Sequence, residues 1–334
     1  MIVLITGATS FLGAAVTRAL LRRGHRVYAL VRPGSKNRAQ LPQHERLSCI
    51  DCAMEEVTRL PGLPGMPKRI DCCLHFAWSG VGVQGRMNPE IQAENVRATL
   101  TLLRALSEFS CGCFLFAGSQ AEYGVTLERV REGSCSGGAI TEAAHCRPVS
   151  EYGKAKLRVL NEGSALAAAC GIRYVHMRIF SVYGPGDHES SLVSACVRAA
   201  EGGEITLGPC AQQWNFLYVE DCAEAVALLA ERSAGGSVPG RAEDSAQEKA
   251  EAVYNIGSRD TRQLKDFVRE IFMQLPQERR GRCRFAERPA GPEGTPYLCP
   301  DTEKLRRRTG WCERHSFSEG IGIMLNVQRG EAGC

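Results

Sequence analysis

The sequence lacks the features that are typical of membrane proteins and of nucleic-acid-binding proteins. No apolar stretch in its 334 residues is long enough to span a bilayer. The net charge of +4 is spread without any long basic run. The apolar N-terminal stretch has no basic beginning and contains Thr6, Thr9 and Ser10, which indicates a strand and a turn rather than a signal peptide. We therefore expect a cytoplasmic globular protein with neither a membrane nor a nucleic-acid partner.

Aromatic residues are few, at 7%, whereas cysteine is abundant, with 16 residues. In a chain of this length without an export signal, scattered cysteines are expected to be reduced thiols. The grouping most like a metal site is Cys49 and Cys52 with Cys72 and Cys73. These residues lie at or beside predicted parallel strands, where cysteine usually serves as a small buried apolar residue, so we predict no metal site.

The hydrophobic pattern predicts a doubly wound α/β fold. Residues 2–5 form an apolar run, residues 11–23 have helical spacing that Gly24 ends, and residues 27–31 form the next strand. Further short apolar runs at 74–77, 113–117 and 174–179 alternate with amphipathic stretches at 91–109 and 154–170. This rhythm is typical of a parallel sheet that is covered on both faces by helices.

The alternation of apolar runs and amphipathic stretches becomes irregular after residue 179. This change indicates a second, smaller lobe interleaved with the last sheet elements. We predict a dinucleotide-binding domain over 1–178 that is completed by about 215–257, and a substrate-binding lobe over 179–214 and 258–334. Residues 233–252 are rich in Gly, Ser and charge, and we predict that they form a flexible surface insertion.

The stretch TGATSFLG, residues 6–13, is typical of a loop that binds the pyrophosphate of a dinucleotide. A glycine turn between a strand and a helix presents backbone N–H groups and the positive end of the helix dipole to an anion. Gly7 fits the tight turn and Gly13 fits the close packing of the helix. Ser10 stands where the backbone must approach the phosphate, and it fits there if its φ is negative.

The residues after the second strand indicate which dinucleotide binds. An acidic residue there would accept from the ribose hydroxyls of NAD, whereas a cation accommodates the 2′-phosphate of NADP. The sequence LVRPGSKNR supplies Arg32, Ser35, Lys36 and Arg38 and no acid. We therefore expect NADP(H) in preference to NAD, the alternative being that these are ordinary solvated loop charges. Asp51, after the third strand, is a candidate acceptor for the adenine amino group or a helix cap.

Tyr152 and Lys156, in EYGKAK, lie four residues apart at a predicted helix start and therefore share one face. A nearby ammonium stabilises a phenolate, so such a tyrosine can pass a proton to or from a sugar hydroxyl. Ser119 follows the apolar run 113–117, at the sheet edge where α/β proteins bind ligands. These three residues are the candidate catalytic set.

Taken together, these motifs resemble the extended short-chain dehydrogenase/reductase family, which includes nucleotide-sugar epimerases, dehydratases and ketoreductases. The resemblance extends over nearly the whole chain and rests on TGATSFLG, LHFAW, ENVRATLTLL, GSQAEYG, YGKAK, MRIFSVYGPGD, WNFLYVEDCAEAV, YNIGS and DTEKLRRRTGW. It implies a Rossmann fold and an NAD(P)-dependent oxidoreductase or epimerase. It also implies a homodimer in which 91–109 and the Tyr152 helix pair with a second subunit.

The resemblance assigns a role to each matching position. Tyr152 would be the general acid/base, Lys156 would lower its pKa and hold the nicotinamide ribose, and Ser119 would hydrogen-bond the reacting oxygen. The cofactor positions implied are Thr6, Gly7, Ser10, Phe11, Leu12, Gly13, Arg32, Asp51, the Ala77 region and Lys156. The substrate positions are Ser79, Gln120, Ser181, Trp214 and Arg288, where Ser181 and Trp214 replace the Asn and Arg usual in the family.

The positions at which the chain departs from the family pattern reduce the number of reactions that it is expected to catalyse. Dehydratases of the family have an acidic pair directly after the catalytic Ser or Thr, where this chain has Gln120 and Ala121, so dehydration is excluded. Strand alternation is expected to turn Glu122 away from Ser119. We expect an NADPH-dependent reductase of a nucleotide-linked 4-keto-(6-deoxy)sugar. A 4-epimerase remains the alternative, ahead of a reductase of another small carbonyl or a non-catalytic dinucleotide sensor.

Two histidines are weaker candidates for chemistry. His75 lies in a predicted strand and His188 in a Gly- and Pro-containing turn. For both we favour a packing or loop role.

Overall fold

A computed structural model describes residues 1–235, 252–287, 289 and 291–330. The strands are β1 (Ile2–Thr6), β2 (Arg26–Val31), β3 (Leu47–Asp51), β4 (Arg69–His75), β5 (Ser110–Ser119), β6 (Arg173–Ile179), β7 (Ser181–Tyr183), β8 (Glu204–Leu207), β9 (Gln213–Tyr218), β10 (Val253–Ile256), β11 (Thr261–Gln263) and β12 (Arg282–Phe285). The helices are α1 (Phe11–Arg22), α2 (Val83–Arg86), α3 (Pro89–Leu106), α4 (Leu127–Arg131), α5 (Glu151–Ala169), α6 (Leu192–Ala200), α7 (Val219–Ala234), α8 (Leu264–Met273), α9 (Glu303–Thr309) and α10 (Phe317–Gln328). Short 3₁₀ turns lie at Lys36–Gln40, Met54–Gly62 and Gln120–Glu122.

Seven strands form one parallel sheet in the order β3-β2-β1-β4-β5-β6-β10. The strand order reverses between β1 and β4. In open α/β sheets, ligands bind at the carboxyl ends of the strands beside such a reversal. The structure confirms the doubly wound parallel fold expected from the sequence.

The apolar runs of the strands are explained by burial on both faces. Val3 and Ile5 of β1 pack into one apolar cluster with α1 and α7, whereas Leu4 packs into the other with α3 and α5. All three side chains are fully buried. Because neighbouring residues of a strand point to opposite faces, a strand that is covered on both sides needs no polar alternation.

The element bounds differ from the expected ones where polar residues obscure the pattern. β4 begins at Arg69 rather than at residue 74, because Asp71 is satisfied by accepting from the Ile2 N–H at 2.7 Å. α5 begins at Glu151, capped by the Ser150 hydroxyl, so Tyr152 lies inside its first turn.

The C-terminal part adds two small sheets. β7 pairs in parallel with β9, β9 pairs antiparallel with β11, and β8 pairs with β12. β9 ends at Tyr218 and is followed directly by α7. Most of the expected insertion, residues 236–251, lies outside the described residues. Within the ranges that the structure covers, we find no helix with the length and apolarity needed to cross a bilayer.

Candidate active site

The turn after β1 leaves no room for side chains at its two glycines. Gly7 has a φ of +67°, and a Cβ on it would lie 2.6 Å from the Ala77 nitrogen. A Cβ on Gly13 would overlap the Gly7 carbonyl oxygen. The turn therefore brings bare backbone and the N-terminus of α1 to the carboxyl edge of the sheet, which is a cradle that fits a pyrophosphate.

Ser10 is the N-cap of α1. Its φ of −79° lies in the ordinary negative range, and its Oγ accepts from the Gly13 N–H at 3.1 Å. Phe11 and Leu12 follow as the first two residues of the helix, half-buried at the sheet edge. The serine therefore replaces glycine without backbone strain and gives the helix a cap.

A buried chain of hydrogen bonds fixes this turn to the rest of the fold. His75 Nδ1 lies 2.6 Å from Thr6 Oγ1, and His75 Nε2 lies 2.9 Å from Thr99 Oγ1. Thr6 Oγ1 also accepts from the Ala77 N–H at 3.3 Å. Burial, with a smaller effect of the Lys156 charge, lowers the pKa of His75 to about 3. His75 is therefore a neutral packing residue.

The three cations that follow β2, Arg32, Lys36 and Arg38, are exposed. Arg32 directly follows β2 at the surface. Arg38 Nη1 donates to Asp51 Oδ1 at 2.7 Å, so one of the predicted cations is paired with the candidate adenine acceptor. Ser35 begins the turn Lys36–Gln40 without capping it through its side chain.

Ser119 ends β5 and caps the turn Gln120–Glu122. Its Oγ accepts from the Ala121 N–H at 3.2 Å, and its own N–H donates to Glu122 Oε1 at 2.8 Å. The expectation that strand alternation turns Glu122 away from Ser119 was wrong, because Glu122 lies in this reciprocal capping turn and its carboxylate contacts the Ser119 backbone.

Glu122 is fully buried, and besides the Ser119 N–H two side chains hold its carboxylate. Its carboxylate lies 2.9 Å from both His176 Nε2 and Arg178 Nε. Burial acts to raise its pKa, but His176, Arg178 and the Ser119 N–H outweigh burial and lower it to about 2. Glu122 is thus a carboxylate committed to structure, and neither Gln120 nor Ala121 supplies a second one.

Tyr152 and Lys156 stand beside Ser119 because α5 packs directly on the turn. A Cβ on Gly153 would lie 2.5 Å from the Ala121 carbonyl oxygen. Lys156 Nζ donates to the Ala117 carbonyl at 2.7 Å and lies 3.6 Å from the centroid of the Trp78 ring. Burial lowers the pKa of Lys156 well below its ordinary value, although Glu122 opposes the effect.

We expected Lys156 to be the cation that lowers the pKa of Tyr152, but the structure places another cation, Arg86, beside the ring. Burial raises its pKa, while the charge of Arg86 and a hydrogen bond with Ser119 act to lower it. The Arg86 guanidinium carbon lies 4.2 Å from the Tyr152 ring centroid, whereas Lys156 Nζ lies 5.5 Å away. Of these two cations the closer to the ring is Arg86, a residue that sequence reasoning missed because nothing in GVGVQGR marks it.

The expected substrate positions differ in how far they are exposed to solvent. Ser79 is exposed and exchanges two hydrogen bonds of 2.9 Å with the Asn95 side chain. Gln120 and Ser181 are half-buried, in the turn after β5 and in β7. Trp214 packs between two apolar clusters, with its ring 6.0 Å from Phe216, and its Nε1 is buried without a partner within the described part of the chain. Arg288 lies outside the described residues.

No group of three or more His, Cys, Asp or Glu side chains is arranged to hold a metal ion in the ranges that the structure covers. The cysteines there are free thiols.

Three features define the class of protein: the glycine turn, the reversal of strand order, and the sheet edge that carries Ser119, Tyr152 and Lys156. Residues 3–257 match the model of the NAD dependent epimerase/dehydratase family, and the chain belongs to that family. This membership agrees with the extended short-chain dehydrogenase/reductase resemblance and with an NAD(P)-dependent enzyme.

Particular relatives catalyse different reactions of this family. The chain is 26% identical to a UDP-glucose 4-epimerase of Corynebacterium glutamicum over 339 residues, which cover 95% of this chain and 92% of the relative. It is 25% identical to a dTDP-6-deoxy-L-talose 4-dehydrogenase (NAD(P)(+)) of Kitasatospora kifunensis over 340 residues, 98% and 95% of the two chains. The structure of MoeE5 in complex with UDP-glucuronic acid and NAD is 25% identical, with a TM-score of 0.74 over 99% of both chains.

Proposed function

We propose that this protein is an NADPH-dependent reductase of a nucleotide-linked 4-keto-(6-deoxy)sugar. The observation that carries the proposal is the bare catalytic set. Ser119 and Tyr152 stand at the sheet edge, and the nearest carboxylate, Glu122, is turned into the core and paired. A site with one proton donor, whose neighbouring carboxylates Glu122 and Glu293 are both paired with arginines, suits hydride transfer coupled to one proton, and does not suit elimination of water.

The cofactor would lie on the glycine turn. Thr6, Gly7, Ser10, Phe11, Leu12 and Gly13 would hold the pyrophosphate, with the Ala77 backbone close beside it. When bound, NADPH supplies the hydride that reaches C4 of the sugar. One of the three N–H groups of Lys156 donates to the Ala117 carbonyl. We infer that the others donate to the nicotinamide ribose.

Tyr152 would donate its hydroxyl proton to the developing oxyanion at O4. The Ser119 Oγ accepts from the Ala121 N–H, and we infer that its hydroxyl hydrogen, which is left to donate, turns to the sugar oxygen when the substrate is bound. A donor that is fixed by the fold before the substrate arrives stabilises the developing charge without reorganisation.

The preference for NADP(H) rests on the residues after β2. Arg32 follows the strand at the surface, and β2 itself ends in Val31 without an acid. Ser35 and Lys36 follow in the same turn. We infer that this cationic turn accepts the 2′-phosphate, and that Asp51 contacts the adenine.

The substrate would lie between the catalytic edge and the smaller lobe, formed by 179–214 and 258–334. Ser79, Gln120, Ser181 and Trp214 are the described positions that we assign to it, and Arg288 is the residue that we assign to the diphosphate by a bidentate pair. We also propose a cytoplasmic homodimer formed by α3 and α5, which pack side by side on one face of the sheet.

A nucleotide-sugar 4-epimerase is the second candidate. It is favoured by the similarity to the UDP-glucose 4-epimerase of Corynebacterium glutamicum and by the NAD bound in the MoeE5 structure. The two reactions use the same residues and differ in whether the cofactor is exchanged after each turnover.

The experiment that tests the reductase proposal uses the purified protein. Its bound nicotinamide is quantified, and oxidation of NADPH and NADH is followed with a panel of nucleotide-linked 4-keto-sugars. We expect net NADPH oxidation with at least one substrate, and Tyr152→Phe is expected to abolish it while cofactor binding persists. Stoichiometric, tightly bound NAD with no net oxidation would establish the epimerase instead.

A further inference from the structure

Arg86 is fixed above the Tyr152 ring by a carboxylate from a distant part of the chain. Arg86 Nε donates to Glu293 Oε2 at 2.6 Å, and Arg86 Nη2 donates to Glu293 Oε1 at 2.8 Å. Two parallel bonds define the plane of the guanidinium as well as its position. Arg86 ends the short helix α2, and Glu293 lies in a tight turn that is closed by the bridge between Gly291 and Gly294.

The pair is shielded from solvent. The side chains of Arg86 and Glu293 are 20% and 22% exposed, so the pair is screened far less than a surface ion pair. Burial acts to lower the pKa of Arg86, but the bonds to Glu293 and Tyr152 outweigh it and raise that pKa. Arg86 therefore remains a permanent cation 4.2 Å from the Tyr152 ring centroid.

The other groups that face Tyr152 are weaker candidates for stabilising its phenolate. Lys156 is farther from the ring, and its ammonium is held by the Ala117 carbonyl and the Trp78 face. Trp78 contacts the Tyr152 ring edge-on, at 6.3 Å between centroids, and carries no charge. Two carboxylates of the described residues, Glu122 from the turn after β5 and Glu293, also act on the tyrosine, and both oppose its ionisation. Ser119 contributes a neutral hydrogen bond.

We propose that Arg86 is a positioning residue for Tyr152, one that orients the ring and stabilises its phenolate form while Glu293 holds the guanidinium in place. The inference rests on the proposed function only in taking Tyr152 as the proton donor. When Tyr152 gives its proton to the sugar oxygen, a negative charge develops on the phenol. A cation fixed beforehand at this distance lowers the free energy of the phenolate that the proton transfer leaves.

The test measures ionisation of Tyr152 directly and needs no substrate. The full-length protein is labelled with ¹³C at the tyrosine Cζ, and each of its eight tyrosines is followed by NMR as the pH is raised. The Tyr152→Phe variant identifies the Tyr152 signal. Circular dichroism at each pH restricts the titration to the folded protein.

Arg86→Gln is expected to raise the titration midpoint of Tyr152 by about one pH unit or more, as removal of a cation at this range does. Arg86→Lys keeps the charge and is expected to return the midpoint toward that of the unmodified protein. Arg158→Gln is the matched control. Arg158 is an exposed arginine on α5, the helix that carries Tyr152, and it pairs with Glu162. This control is expected to leave the midpoint in place.

Two results would overturn the proposal. One is a Tyr152 midpoint that Arg86→Gln leaves unchanged. The other is an equal shift in Arg158→Gln, which would make the effect one of overall charge. Once a substrate is known, the pH profile of kcat should show the same displacement. A shifted midpoint in a protein that reduces no 4-keto-sugar would refute the proposed reaction and leave the role of Arg86 intact.

Discussion

The carboxylate of Glu122 accepts a hydrogen bond of 2.8 Å from the backbone N–H of Ser119. The same carboxylate is paired with Arg178 and His176 in a fully buried network. Tyr174 extends the network, since its hydroxyl lies 3.0 Å from His176 Nδ1. The end of β5 is therefore held in place by a buried network whose residues take no part in the proposed chemistry.

Glu122→Gln should destabilise the protein by about 3 kcal/mol, because it leaves the buried Arg178 without a counter-charge. Urea denaturation at neutral pH measures the change. Glu162→Gln removes a carboxylate from an exposed pair with Arg158 and should cost no more than about 0.5 kcal/mol. Equal costs for the two variants would show that the network under Ser119 contributes no special stability.

The buried neutral His75 predicts loss of stability in acid. The unfolded chain binds a proton at a histidine near pH 6.5, whereas the folded protein binds one at His75 only near pH 3. The unfolded state therefore holds more protons between these values, and stability falls by about 1.4 kcal/mol for each pH unit below 6.5. Glu122, with its pKa lowered to about 2, adds a loss of the same sign below about pH 4.5.

Chemical denaturation at pH 7.5, 6 and 5 measures this slope. His75→Gln, which keeps a polar side chain between Thr6 and Thr99, should flatten the slope, and the same substitution at the exposed His44 is the surface control. An unchanged slope in His75→Gln would contradict the assignment of a neutral histidine.

Gly7→Ala should abolish dinucleotide binding. The φ of +67° and the approach of 2.6 Å to the Ala77 nitrogen both oppose a side chain at Gly7. Gly171 has a similar φ of +70° with open space around it, so Gly171→Ala tests the cost of the backbone alone, about 1–2 kcal/mol. Calorimetric titration with NADPH should detect binding to Gly171→Ala and none to Gly7→Ala. Normal affinity in both variants would place the cofactor elsewhere.

Arg32→Asp should change the preferred cofactor. A carboxylate at that position repels the 2′-phosphate of NADP and accepts from the ribose hydroxyls of NAD, so the ratio of the two affinities should move toward NAD by about tenfold or more. Arg26→Asp makes the same charge change at the opposite end of β2 and should leave the ratio unaltered. No change of ratio in Arg32→Asp would remove the basis for NADP preference.

The parallel sheet and the glycine turn could be predicted because their signals are local. The apolar runs reflect burial on two faces, and the conformation of Gly7 is set by its immediate neighbours. The expectation that Glu122 turns away from Ser119 was wrong, because a 3₁₀ turn of three residues leaves no periodic pattern in the sequence.

The electrostatic surroundings of Tyr152 could not be predicted. Arg86 and Glu293 are 207 residues apart, and neither belongs to a motif. The pairing of Glu122 with Arg178 spans 56 residues. Such contacts depend on how the loops and lobes close on the sheet, which the spacing of residues along the chain does not encode.

The central claim is that hydride passes from the cofactor to sugar C4 and stays there. NADPH labelled with deuterium at nicotinamide C4, prepared as each of its two stereoisomers, is incubated with the protein and the 4-keto-sugar that it reduces best. One isomer should give a product with a single deuterium at C4, in proportion to the NADP⁺ formed. A 4-keto-sugar recovered without deuterium and with no net loss of NADPH, together with inversion at C4 when the corresponding 4-hydroxy nucleotide sugar is supplied, would contradict the account.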